Sequence, residues 1–246
     1  MEKNTRKDFV QKVGIIAIII LIIVIVALLI LKYEVEGEID MPFEISKIIM
    51  VSTAEGNQEY ETDSNWEVDV YQNNDIYIDI IKNKKNKNSE IIKNIVINNF
   101  VVNELPKVGE LIIYRPTKEN TRAFDYLKQN IVNNEIIFTG SNKTNSKNLE
   151  IANQGGLILF RISNNLMEKY IANDEELIHD GSLIGKINKT KEDIKFKISF
   201  DITINLESEK SFKSTINLEL PLGNIIENGT ESLEKTDMRD VIFKRT

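Results

Sequence analysis

The chain has 246 residues, no cysteine, one histidine and a formal net charge of −7 at neutral pH. The lack of cysteine excludes disulfides, thiolate metal sites and cysteine nucleophiles, and a zinc site with a single histidine is not expected. Residues 1–12 carry a net charge of +2, whereas residues 32–246 carry −9. This acidic surplus argues against nucleic-acid binding, because attraction to phosphates dominates that interaction.

The first predicted element is a transmembrane helix at residues 13–31. This run, VGIIAIIILIIVIVALLIL, contains no charged residue, no serine and no threonine. Isoleucine and valine favour strands in water, but a lone segment in a bilayer satisfies its backbone hydrogen bonds only as a helix. Its nineteen residues, at ~1.5 Å each, span roughly 28 Å and match the ~30 Å hydrocarbon core of a membrane.

We expect this helix to stay in the protein as a signal-anchor. A cleaved signal peptide has a shorter apolar region followed by small residues, whereas this run continues into the bulky and acidic sequence LKYEVEGEID. Basic residues precede the helix and acidic residues follow it, so the positive-inside rule predicts a cytoplasmic N-terminus. The expected organisation is a cytoplasmic tail at 1–12, a single-pass helix in the cell membrane, and an extracytoplasmic domain at 32–246.

The remainder is predicted to be mainly β, because apolar residues recur with a period of two. In IKFKISFDITINLE the apolar residues from Ile194 to Leu206 lie on one face and polar residues on the other, which predicts a long antiparallel strand. The pattern resumes in FKSTINLELP after a polar turn, so the two segments are predicted to form a hairpin. A second hairpin is predicted in WEVDVYQNNDIYIDII, with Asn73 and Asn74 in its tight turn.

Further strands and two short helices complete the predicted fold. The strands are expected at 33–41, 45–53, 91–97, 99–104, 110–115, 135–139, 157–163 and 240–244. A change of parity near Asn98 indicates a bulge, and helices are expected in TKENTRAFDYLKQNIV and near 181–187. Many short strands with few helices are typical of an antiparallel β-sandwich, either as one domain or with a sub-boundary in the polar segment at 140–150.

We find no catalytic, metal-binding or cofactor-binding signature in the sequence. His179 is interpreted as a turn residue beside Asp180, because a catalytic triad needs partners that neighbours in sequence rarely supply. The motif NQGG at 153–156 lacks a phosphate-binding pattern and is interpreted as a turn or bulge before a strand. The stretch NDEE at 173–176 lacks the spaced ligands of a calcium loop.

Aromatic and basic residues are also interpreted as structural. Trp66, with Tyr71 and Tyr77 nearby, is interpreted as an edge of the core, with a sugar-binding platform as the alternative. The lysine-rich run KNKKNK at 82–87 is interpreted as a solvated loop.

The short basic tail, the isoleucine-rich helix and four motifs together resemble a known group of proteins. The motifs are MPFEISKIIMVSTAEG, PKVGELIIYRP, NQGG and IHDGSLIGKI. Over most of the chain they are similar to uncharacterised single-pass membrane proteins of AT-rich, clostridial-type Gram-positive bacteria. The resemblance implies a membrane anchor but no assigned activity, so it supplies no functional residues.

Two functions are predicted from these features. The favoured one is a membrane-anchored cell-envelope protein whose β-sandwich domain acts as a binding or assembly module, with an envelope protein partner joining a sheet edge. The alternative is an envelope carbohydrate-active or hydrolytic enzyme with paired carboxylates, which retaining glycosidases hold ~5 to 5.5 Å apart. Ligand and oligomeric state stay open at this point.

Overall fold

The computed structural model describes residues 2–39, 41–62, 65–86, 88–117, 123–124, 135–143, 149–173 and 182–246. These residues form a long N-terminal helix, two β-sheets and short helices. The helices are α1 (Glu2–Ile39), α2 (Ser182–Lys186), α3 (Lys191–Ile194) and α4 (Ile225–Asn228). The strands are β1 (Phe43–Thr62), β2 (Asn65–Lys82), β3 (Ile92–Glu104), β4 (Glu110–Tyr114), β5 (Ile136–Gly140), β6 (Leu149–Ile151), β7 (Gly156–Asn173), β8 (Phe196–Leu206), β9 (Ser211–Leu220), β10 (Thr230–Lys235) and β11 (Lys244–Arg245).

The two sheets are largely antiparallel. One has five strands in the order β10-β1-β2-β7-β4, and the other has six in the order β11-β9-β8-β3-β5-β6. Among the described strands, only the pairing of β5 with β6 is parallel. Strands from before and after residues 140–150 are neighbours in both sheets, as β2 with β7 and β3 with β8. Strands on the two sides of residues 144–148, which lie outside the described part of the chain, therefore belong to the same sheets, and the sub-boundary stays a prediction.

Side chains of both sheets form one large hydrophobic cluster, which we call the main core. Phe160 of the five-stranded sheet contacts Phe100 and Phe200 of the six-stranded sheet, with ring centroids 5.8 Å and 5.1 Å apart. All three side chains are buried. Each such burial contributes about 1.5–3 kcal/mol of transfer free energy, so these aromatic contacts tie the two sheets together.

A second cluster, which we call the satellite core, lies against the short helices. Its members are Ala54, Val68, Val70, Met167, Leu183, Ile184, Ile187, Ile194 and Ile225. Thr190 is the N-cap of helix α3, and its backbone N–H and hydroxyl donate to the Asp193 carboxylate at 3.0 Å and 2.7 Å. These hydrogen bonds lower the pKa of Asp193 to about 2. A carboxylate in the first turn satisfies backbone donors that the helix leaves free.

Several predicted elements are confirmed. The hairpin of β8 and β9 is present, and the apolar face of β8 is buried as its period of two predicts. The two strands expected on either side of Asn98 form the single strand β3, whose pairing register shifts between Asn98 and Val101. Asn99 there has a φ of 52°, so the predicted bulge is confirmed. The strands expected at 110–115 and 135–139 match β4 and β5, and the helix near 181–187 matches α2.

The motif NQGG is a turn before β7, as predicted. Gly155 has a φ of 109°, and a Cβ atom added there would lie 2.3 Å from the backbone oxygen of Ile80. Asn153 fastens the turn, because its Nδ2 donates to the backbone oxygen of Ile92 at 2.8 Å and its Oδ1 accepts from Ser141 Oγ at 2.6 Å. Backbone geometry therefore accounts for the glycine in this motif.

The predicted hairpin turn at Asn73 and Asn74 is wrong. Strand β2 runs through both residues and pairs with β1 on one side and β7 on the other. Both asparagines are buried, and Ser163 Oγ of β7 donates to Asn73 Oδ1. Partners distant in sequence satisfy these side chains, so the local preference of asparagine for turns does not decide the conformation.

Other predictions need correction at the two ends of the β domain. The strand expected at 33–41 is absent, because α1 continues to Ile39. Extending an existing helix adds one hydrogen bond for each residue ordered, whereas a new strand needs a partner. The strand expected at 240–244 is reduced to the two-residue β11, and β6 and β10 were not predicted. Of the helix expected in TKENTRAFDYLKQNIV, only residues 117 and 123–124 are among those described.

Candidate functional site

Helix α1 is the most apolar part of the structure. From Lys12 to Ile30 its nineteen residues have a mean hydropathy of 3.8, and none of this segment is buried within the described part of the chain. Its large apolar side chains are 47–61% exposed. The segment therefore lacks the polar face of a helix that packs on a soluble domain. By length and composition, this helix can cross a membrane.

The chain passes from α1 into the main core within a few residues. Met41 is 5% exposed and Phe43 is fully buried. Asn83, which follows β2, is hydrogen-bonded to this segment. Its backbone N–H donates to the Pro42 oxygen at 2.9 Å and its Nδ2 donates to the Met41 oxygen at 3.0 Å. Its Oδ1 accepts from the backbone N–H of Lys85 at 3.0 Å. One asparagine thus joins the start of β1 to the loop after β2.

We call this end of the β domain, formed by residues 41–45, 82–86 and 238–243, the base. A cavity of about 360 Å³ opens there, a volume within the range of small-molecule sites. Its lining is mostly apolar and includes Ile242, which is 48% exposed. No local sequence pattern indicates this cavity, because its lining residues come from three separate stretches of chain.

Residues 82–86 of the run KNKKNK also lie at the base. Asn83 fixes the start of its loop, and Lys84 and Lys85 are exposed. Lys82, by contrast, is hydrogen-bonded within the protein, since its Nζ donates to Gln154 Oε1 at 3.4 Å. The base therefore presents exposed lysines in the part of the chain that carries a net charge of −9.

A group of buried polar side chains crosses the five-stranded sheet between the two cores. The inward-facing residues of β2 are isoleucines at 76, 78 and 80 in the main core and valines at 68 and 70 in the satellite core. Gln72 and Asn74 lie between them, with Ser52 on β1 and Asn164 on β7, and all four have an exposed fraction of 0%. We call these four residues the polar belt.

Asn74 is the centre of the polar belt. Its Oδ1 accepts from Ser52 Oγ at 2.7 Å and from Gln72 Nε2 at 2.6 Å, and its Nδ2 donates to the Ile162 backbone oxygen at 3.0 Å. Gln72 Oε1 and Asn164 Oδ1 have no hydrogen-bond partner among the described residues. Buried polar groups of this kind specify register, because a shifted strand leaves them unpaired.

The outer face of the five-stranded sheet carries a bidentate ion pair. Arg161 Nε and Nη2 donate to the two carboxylate oxygens of Asp75 at 2.6 Å and 2.9 Å. The Arg161 guanidinium lies 4.3 Å from the ring centroid of Phe124. Burial and the negative charge of Asp75 raise the pKa of Tyr77, with Arg161 opposing them. The pair ties β2 to β7 and holds Phe124 on the sheet.

Asp201 is a buried carboxylate on the outer face of the six-stranded sheet. It accepts hydrogen bonds from Asn99 Nδ2 at 2.7 Å, Thr215 Oγ1 at 2.6 Å and Lys213 Nζ at 3.0 Å. Burial opposes the ionisation of Asp201, but these hydrogen bonds outweigh it and lower the pKa of the carboxyl group. The bulge in β3 therefore positions the Asn99 amide to donate a hydrogen bond to Asp201.

We expect Asp201→Asn to weaken the β domain at neutral pH and to flatten its response to acid. Because the folded state lowers the pKa of Asp201, the ionised group stabilises the fold above about pH 4, and this stabilisation is lost as the pH falls through the folded-state value. Unfolding of the full chain in detergent, followed by circular dichroism between about pH 7 and 3, measures this. Asp237→Asn is the control, since its ion pair with Arg239 is exposed. An unchanged acid response of Asp201→Asn would contradict the prediction.

The candidate polar sites of the sequence have different outcomes. His179, Asp180 and residues 174–176 lie outside the described residues. In the described part of the chain, no group of three or more histidine, aspartate or glutamate residues is placed to hold a metal ion. The paired-carboxylate enzyme stays a prediction. The buried Asp69 and Asp201 and the half-buried Asp75 each have a carboxylate oxygen within 3.2 Å of a lysine or arginine nitrogen.

The predicted aromatic platform is described only in part. Tyr71 and Tyr77 are on the outer face of β2, as their shared parity indicates, and Tyr71 Oη donates to Glu55 Oε2 at 3.3 Å. Trp66 belongs to β2, but its side chain is outside the description. Sugar binding therefore stays a prediction.

Comparisons with protein-family models, with curated proteins and with solved structures found no match for this chain. The resemblance to clostridial single-pass membrane proteins accordingly stays a prediction.

Proposed function

We propose that this chain is a single-pass, membrane-anchored cell-envelope protein whose β domain is a binding or assembly module outside the cytoplasm. The observation that carries this proposal is the apolar segment of α1, which is unburied from Lys12 to Ile30 and leads within a few residues into a β domain. Apolar side chains exposed over such a length are unfavourable in water and favourable in a bilayer.

The charges on either side of the helix support one orientation. Residues 1–12 contain four lysines and arginines, whereas residues 32–46 contain only one, Lys32. Basic residues are retained on the cytoplasmic side of a membrane helix, so the tail is cytoplasmic and the β domain is outside.

We infer further that the two sheets pack face to face as a β-sandwich. The contacts of Phe160 with Phe100 and Phe200 support this arrangement, because they join the inner faces of both sheets. The outer faces carry charged residues such as Asp75 and Asp201, as expected for faces turned toward solvent.

An open sheet edge supports the binding role. Among the described strands, β10 pairs only with β1. Most of its residues are exposed, and Leu233 at its centre is 50% exposed. An edge strand presents unpaired backbone groups, and an envelope protein partner can add a strand there.

We expect single-cysteine variants to report the two sides of the membrane. The natural chain has no cysteine, so Thr5→Cys in the tail and Asn217→Cys on the exposed side of β9 each provide one labelling site. On protoplasts of a Gram-positive host, a membrane-impermeant maleimide should label Asn217→Cys at once and Thr5→Cys only after detergent is added. The neighbouring Leu218→Cys is the control for accessibility, since Leu218 is 6% exposed.

Two results would count against the proposal. The reverse labelling pattern would overturn the orientation, and recovery of the chain in the soluble fraction without detergent would overturn the membrane anchor.

A further inference from the structure

We propose that the base of the β domain is a lipid-facing surface whose lysines, Lys84 and Lys85, bind the headgroups of anionic phospholipids. This inference rests on the proposed membrane anchor and extends it, because it assigns a partner to a surface of the β domain. The run KNKKNK, interpreted from the sequence as a solvated loop, acquires this role from its position in the structure.

The base lies a short distance from the membrane. Helix α1 extends nine residues past Ile30 to Ile39, which at 1.5 Å per residue is about 14 Å. Each headgroup layer takes up roughly 5–8 Å of that length. Helix α1 also contacts β11, which directly follows residues 238–243 of the base. A straight helix along the membrane normal therefore holds the base at most about 6–9 Å above the headgroups, within about one Debye length of ~8 Å at physiological ionic strength.

Hydrogen bonds of Asn83 hold the two lysines near the end of α1. Asn83 donates to the backbone oxygens of Met41 and Pro42, two and three residues after the last residue of α1, and accepts from the backbone N–H of Lys85. The loop is thereby fastened to the point where the chain leaves the helix. Lys84 and Lys85 are exposed there, so their ammonium groups are available to headgroup phosphates and each contributes about 1 kcal/mol of attraction near an anionic surface.

Four acidic residues, at 34, 36, 38 and 40, separate the apolar segment from the base in the sequence. They repel an anionic surface, and they are also the competing partners for Lys84 and Lys85 within the chain. If the lysines pair with these carboxylates, the position of the base is independent of lipid charge. This competing arrangement makes the dependence on lipid charge the decisive measurement.

The experiment uses the full chain in vesicles of phosphatidylcholine, with or without about one third phosphatidylglycerol. A Ser89→Cys variant carries an environment-sensitive fluorophore close in sequence to Lys84 and Lys85, in the segment that we call the lysine loop (residues 82–86). The vesicles contain a lipid with a nitroxide on its headgroup. Ile171→Cys is the distal control, because Ile171 is 66% exposed. It lies fifteen residues along β7 from Gly156, roughly 50 Å at the rise of a strand, and Gly156 pairs with Ile80 next to the base.

We expect nitroxide quenching at position 89 to be stronger in anionic vesicles and to fall to the neutral-vesicle level in high salt, with no change at position 171. Each lysine is expected to change the ratio of docked to undocked domain about five-fold, the equivalent of about 1 kcal/mol. Lys84→Gln/Lys85→Gln should remove the lipid dependence. Lys195→Gln/Lys197→Gln, which removes the same charge at the start of β8, should retain it.

Equal quenching in neutral and anionic vesicles, or an unchanged response in the Lys84→Gln/Lys85→Gln variant, would overturn the inference. Such a result leaves the membrane anchor intact as long as the protein floats with the vesicles. Failure to float with vesicles of either composition would instead overturn the proposed function.

Discussion

Replacing Phe160 with alanine is expected to lower the free energy of unfolding by about 3–5 kcal/mol. Phe160 is fully buried and its ring contacts Phe100 and Phe200 from the opposite sheet. The substitution removes apolar burial and leaves a cavity between the sheets, which the neighbouring side chains fill only in part. For a chain of this size, about 2–4 °C of melting temperature accompany each kcal/mol. Thermal unfolding of the full chain in detergent, followed through its β circular dichroism signal, measures the loss.

Leu157→Ala is the matched control for Phe160→Ala. Leu157 lies on the same strand, β7, and is 53% exposed. Its truncation is expected to change the free energy of unfolding by less than about 0.5 kcal/mol. Losses of equal size in the two variants would show that Phe160 is not part of a core shared by the two sheets.

Replacing Asn74 with alanine is expected to lower the free energy of unfolding by about 2–4 kcal/mol, since each buried group left unsatisfied costs about 1–3 kcal/mol. The change removes the acceptor of Ser52 Oγ and Gln72 Nε2 and the donor to the Ile162 oxygen. The site has an exposed fraction of 0%, so water does not readily replace these bonds. Chemical denaturation of the full chain in detergent measures the change.

Asn217→Ala is the control for Asn74→Ala, because Asn217 is exposed on β9 and its truncation should have little effect. A double-mutant cycle with Ser52→Ala tests the polar belt itself. We expect a coupling of about 0.5–3 kcal/mol between Ser52 and Asn74, because the two side chains share a buried hydrogen bond. Additive losses would mean that the belt does not act as a connected network.

Elements with a strong local period were predictable from sequence. The alternation through β8 and β9 identified the hairpin and its buried face, and the change of parity at Asn98 identified the bulge in β3. Along a strand, successive side chains lie on opposite faces of the sheet, so the order of apolar and polar residues indicates which face is buried. The short charged strand β10 has no such alternation, because it lies at an edge and is exposed on most positions.

Asn73 and Asn74 show where this reasoning fails. Two adjacent asparagines favour a turn by local preference, and differences in such preferences amount to about 1 kcal/mol. The structure places them in the middle of β2, where Ser163, Ser52 and Gln72 satisfy them. Ser163 is 90 residues away from Asn73 in sequence. Several buried hydrogen bonds outweigh the local preference, and one sequence does not reveal such distant partners.

The apolar helix, the acidic β-rich remainder and the strands with a clear period of two could be predicted from the order of residues. These features depend on composition and on the spacing of neighbouring residues, which are properties of the chain alone. The polar belt and the base could not be predicted in this way, because each brings together residues from separate strands and loops. The lysine loop illustrates the difference, since its sequence is that of an ordinary solvated loop and only the hydrogen bonds of Asn83 place it where the chain leaves α1.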